Sequence, residues 1–174
     1  MNAEYQQYLS AIFVEEVEGE AFFSGLSERA ADAEHQHKWQ VLAQLETQTK
    51  EHIRAGLREL GIEVAEQRHN IERGEQLAER FSKLPWLEFL TVFQPSLQKF
   101  VAQYSAGEQL IPDEGRERPL LRYITRHEQA LLAFVICELQ GRGAESLDAV
   151  LALLGKPLHQ TAAPSRSHNS EVLQ

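Results

Sequence analysis

Apolar side chains recur at intervals of three and four residues along most of this chain, and strict alternation never persists beyond four residues. That spacing belongs to amphipathic helices and leaves no pattern for a sheet. Residues 4–27 carry Tyr5, Leu9, Ile12, Phe23 and Leu26 on one face. Asp32 is placed to cap a second helix whose stripe is Trp39, Leu42, Leu45, Ile53, Leu57 and Leu60, with Gly61 as its stop. Residues 62–71 read as a connection and 72–84 as a shorter helical piece. Pro85 breaks or starts an element. A third main helix spans 86–104, with Leu90, Phe93, Leu97, Val101 and Tyr104 inward. Glycines and prolines make 105–119 a loop. A fourth main helix, 120–140, is the most apolar and ends at the GRG sequence. SLDAVLALL is a short helix expected to pack on the bundle end. The expectation is an all-α fold: a four-helix bundle of antiparallel neighbours with a short C-terminal fifth helix. It forms one domain over 1–156, and the polar segment 157–174 is expected to be a disordered tail.

The stripes contain the wrong residues for a simple core. At about 100° per residue, Glu16 and Glu20 point with Ile12 and Phe23. Glu46 and Thr49 fall between Leu42 and Ile53, with His52 on the flank. Glu128 sits with Ile124, Leu131 and Val135, Glu138 continues that line, and His127 is one step off it. A buried carboxylate must be protonated, paired or bound to a cation.

Heights along the bundle agree for one pair. If the first two helices turn near Asp32, Glu20 and Glu46 differ in level by only about 3 Å. With the later loop centred near Ile111, Glu128 stands level with Gln94, an amide where the pattern wants a carboxylate.

Inward glutamates at one level of a four-helix bundle are the design of di-iron carboxylate proteins. The segments VEGEAFFSGL, LAQLETQTKEHI and YITRHEQALLAFVICELQG give the chain a resemblance to the ferritin-like superfamily, in its rubrerythrin-related branch, over residues 4–155. The resemblance implies Glu20, Glu46 and Glu128 as metal ligands and iron or manganese as the metal, with oxidoreductase activity. The chain departs from the family pattern at Thr49 and Leu131, where the ligand histidines belong, and at Gln94. Glu16, His52, His127 and Glu138 lie within a turn of the site and are the candidates to substitute. The competing expectation is a metal-free helical scaffold that kept the bundle and lost the chemistry, used for interaction or as a homodimer. A third is an apolar substrate in the core beside Phe22, Phe23, Phe93 and Phe134.

A net charge of −9 argues against nucleic acid or an anionic membrane surface as partner. The N-terminal residues lack the basic and apolar regions of a signal peptide, so a cytoplasmic location is expected. Cys137 lies in an apolar run and reads as a buried, inert thiol. His35 and His37 diverge at two-residue spacing and read as a solvated face, and Trp39 and Trp86 as core.

Overall fold

A computed structural model describes residues 3–112 and 114–155. Six helices make up the described chain: α1 Ala3–Glu28, α2 Ala33–Glu59, α3 Arg68–Phe81, α4 Trp86–Gln109, α5 Arg118–Leu139 and α6 Asp148–Leu154. No strand occurs among the described residues, as the periodicity requires. The expected tail, with His159 and His168, lies outside the described residues.

Local chemistry sets the helix ends. The Asp32 carboxylate accepts the His35 backbone N–H at 2.9 Å and caps α2. At the other end Gly61 turns left-handed, with φ 78°. Its N–H reaches the Arg58 carbonyl while the Ile62 N–H reaches that of Leu57, the paired bonds of a Schellman motif. Gly141, with φ 74°, closes α5 in the same way through Glu138 and Cys137. Pro95 sits inside α4 without interrupting it.

Contacts fix the directions. Gly74 lies against Glu18, Ala21 and Phe22, and Ala78 against Gly25, so α3 runs parallel to α1. Phe89 meets Phe22 while Gly107 meets Tyr8, so α4 runs antiparallel to α1. Leu120 meets Gly56 and Glu138 meets Lys38, so α5 is antiparallel to α2. The main helices α2 and α4 therefore point the same way, and α3 is the crossover that returns the chain along the bundle. The sequence expectation of antiparallel neighbours holds for α1–α2 and α4–α5. Between them stands a helical crossover.

Three readings of the sequence change, the first being that α4 runs on to Gln109, into the expected loop 105–119. The α3 helix takes in residues 68–71, which read as connection; Asn70, Gly74 and Ala78 are buried on its inner side, and Ile71, Leu77 and Phe81 pack against the two apolar clusters. The α6 helix lies along the flank of α2 and α5 and not on the bundle end. There Val150 and Leu153 are buried, and the Leu153 carbonyl accepts a hydrogen bond from Gln48 at 3.3 Å.

The core is split. One apolar cluster gathers Phe22, Phe23, Trp39, Leu42, Leu90 and Phe134. The other gathers Leu9, Ile12, Phe13, Ile53, Leu57 and Ile124. Between them runs a polar layer.

Candidate metal centre

Five side chains from three helices form that layer: Glu16 from α1, Glu46 and Thr49 from α2, His127 and Glu128 from α5. Their residues are 3%, 3%, 0%, 1% and 7% exposed. His127 and Glu128 are neighbours in sequence, yet both are interior because α5 packs against α2, α4 and α6 at once. The Glu46 carboxylate occupies space left by Gly19, where a Cβ would stand 2.6 Å from its Oε2. The glycine of the VEGE segment therefore makes room for the glutamate of the next helix.

His127 organises the layer. Its Nδ1 is 2.9 Å from the Thr49 hydroxyl. Its Nε2 stands 3.5 Å from both Glu16 Oε2 and Glu46 Oε1. One ligand atom each from Glu16, His127 and Glu128 lie within 4.8 Å of one another. Oε2 of Glu16 and Oε2 of Glu128 are buried without a hydrogen-bond partner. Each such orphan costs free energy unless something arrives to satisfy it.

Burial pushes the Glu46 and Glu128 carboxyls up to about 8. For Glu128, His127 opposes the shift and Glu16 and Glu46 add to it. Glu16 is raised well above the carboxylate range, by burial first, with His127 opposing and Glu46 adding. The two carboxyls are coupled: Glu46 adds to the rise at Glu16, while Glu16 works against the rise that burial causes at Glu46. A cation in this layer would replace the protons of these carboxyls.

Glu20 does not join the layer, which corrects the expectation that it faces Glu46 in the core. It sits at the α1–α2 edge, accepting from the Thr47 hydroxyl and paired with Lys50. Lys50 also reaches Glu66 at 3.0 Å. Glu16, one turn earlier, takes the inward position instead. His52 also stays outside. Its ring packs on Tyr123, with centroids 4.1 Å apart, beside a surface pocket walled by Arg118, Arg122 and Arg126. Glu138 belongs to another network, bound by Lys38 at 2.7 Å and by the Trp86 indole N–H at 3.0 Å. Gln94 is not among the residues lining the layer's pocket, where α4 instead presents Ser96, Leu97 and Phe100.

Lys38 and Lys50 were not singled out in the sequence, yet both are buried. Each falls on the apolar phase of α2, and that placement was the available signal. Glu15 was also missed: the buried Tyr104 phenol donates to its carboxylate. Two smaller expectations change. His35 is half-buried, stacked on Trp86 with centroids 3.8 Å apart, and Cys137 is only partly covered.

Comparison of the chain with protein-family models, curated proteins and solved structures finds no match. No helix among the described residues is long and apolar enough to cross a membrane.

Proposed function

We propose that this protein is a divergent ferritin-like metalloprotein that holds iron or manganese between α1, α2 and α5. The observation that carries the reading is the convergence of Glu16, His127 and Glu128, buried and within 4.8 Å, with two carboxylate oxygens unsatisfied. A nitrogen and two carboxylates suit a divalent first-row ion and leave coordination positions for water or a small molecule. Glu46 stands beside the set, its Oε1 3.5 Å from His127 Nε2. The helix order supports the ferritin-like reading, since a long crossover lets α2 and α4 run in one direction.

Iron held there would supply redox chemistry, the basis for reading the protein as an oxidoreductase. The chain's own residues would orient the ion and exclude bulk water, with Glu46 beside it to hold a proton. The lone Cys137 and the absence of any other cysteine fit a cytoplasmic setting.

A second reading has its own support. Glu16 and Glu46 are coupled, and a proton shared between them would close part of the layer without an ion, as a metal-free scaffold requires. Anaerobic titration with ferrous or manganous ion separates the two, because a native-state ligand raises Tm with concentration by mass action. The metal reading expects saturable stabilisation that Glu128→Gln removes. No stabilisation by either ion leaves the scaffold.

A further inference from the structure

We propose that the pocket beside the acidic layer binds a small apolar molecule, one ring or a short chain, with a single hydrogen-bonding group at its inner end. The pocket has a volume of about 300 Å³. Its floor is Glu16, Glu46, His127 and Glu128, and its walls are Phe22, Leu77, Phe81, Phe93, Leu97 and Phe100.

Size comes first. Packing voids seldom exceed a water molecule. An apolar cavity of about 150 Å³ already takes benzene. Roughly twice that volume accommodates a ring with a short side chain and stands at the lower end of ligand pockets.

Polarity comes second. Water needs several polar partners, and the walls offer few. Of the other carboxylates that line the pocket, Glu15 is bonded to Tyr104 and Glu18 is paired with Arg73, so the unpartnered carboxylate oxygens are those of the floor, Oε2 of Glu16 and of Glu128. The fitting molecule is therefore polar at one end only.

Pre-organisation comes third. Phe22 holds Phe81 and Phe93 at centroid distances of 6.1 and 6.0 Å, so rings from α1, α3 and α4 brace one another. The α3 helix packs on α1 and scarcely on α4. The exposed residues of the pocket's lining are Glu15 on α1 and Ser96 on α4, which mark where it reaches the surface. The inference rests on the metal reading only for what happens at the ligand's inner end, because the apolar body binds without the ion.

The test is calorimetric titration of the full chain with 4-propylphenol and propylbenzene, after chelator treatment and again after manganese loading. Saturable binding is expected, about fivefold tighter for the phenol, as one added hydrogen bond would give. Ser96→Trp plugs the mouth from the surface and should weaken both by at least about tenfold with Tm unchanged. Phe100→Ala enlarges the pocket and should shift preference toward the larger 6-propyl-2-naphthol. No saturable binding, full binding by Ser96→Trp, or an unchanged size preference in Phe100→Ala each overturn the inference. If Glu128→Gln binds propylbenzene normally and no protein takes up metal, the metal reading fails and the ligand site stands.

Discussion

The Thr49 hydroxyl and His127 Nδ1 lie 2.9 Å apart in the buried layer between α2 and α5. A hydroxyl can donate or accept, so Thr49 holds the ring in either tautomer. With Nε2 protonated, His127 faces Glu16 and Glu46 as a donor. With Nε2 bare, the proposed metal ion would have the ring as a ligand while Nδ1–H points at threonine. Thr49→Val should therefore lower metal affinity about tenfold and cost about 1 kcal/mol of stability. Thr49→Ser should keep both. Metal titration and urea denaturation of the two variants check this.

The metal-free protein should lose stability as pH rises. Glu46 and Glu128 move from 4.5 to about 8 on folding, and Glu16 moves the same way. The native state then holds more protons than the unfolded chain across that window, so unfolding free energy falls from pH 4.5 to 8 and levels off above it. Glu138 and Glu66 act oppositely. Burial raises each, but hydrogen bonds from Lys38 and from Lys50 with Arg54 outweigh it, so their contribution disappears below about pH 4.5. After chelator treatment, Tm should be higher at pH 5.5 than at pH 8.5 by about 5 °C. Saturating metal should remove most of that difference.

Lys38 and Glu138 form a buried ion pair, each side chain 6% exposed. Lys38→Met strands the carboxylate and should cost about 3 kcal/mol. Adding Glu138→Gln should recover most of the loss, because the remaining amide carries no charge. A double-mutant cycle by denaturant unfolding measures the coupling.

Gly74→Ala should destabilise, although alanine is the better helix former by about 1 kcal/mol. A Cβ at Gly74 would press on the Glu18 carbonyl and come within 2.8 Å of the Ala21 Cβ. Forcing α3 away from α1 should cost about 2 kcal/mol net, read by denaturant unfolding.

The helices were legible because their faces are large and apolar: Trp39, Leu42, Leu45, Ile53 and Leu57 are all buried, as their phase requires. The start of α3 was not, because Arg68, His69 and Asn70 are polar and the apolar positions of the helix, Ile71, Leu77 and Phe81, begin only after them. Glu46, Glu128 and Glu16 were legible as interior carboxylates for the same reason as the leucines around them. Glu20 was not separable from Glu16, since residues four apart differ by only about 40° on a helix. Its partner Lys50 decided its side, and a buried lysine on the apolar phase of α2 could have signalled it. Glu138 was misassigned through the same oversight at Lys38.

The most direct test is elemental analysis of full-length protein loaded anaerobically with ferrous or manganous ion and then desalted. Wild type, Glu20→Gln and Glu128→Gln are compared. We expect about one ion per chain in wild type and in Glu20→Gln, and loss in Glu128→Gln. No ion in wild type, or loss in Glu20→Gln with retention in Glu128→Gln, would contradict a centre built on Glu16, His127 and Glu128.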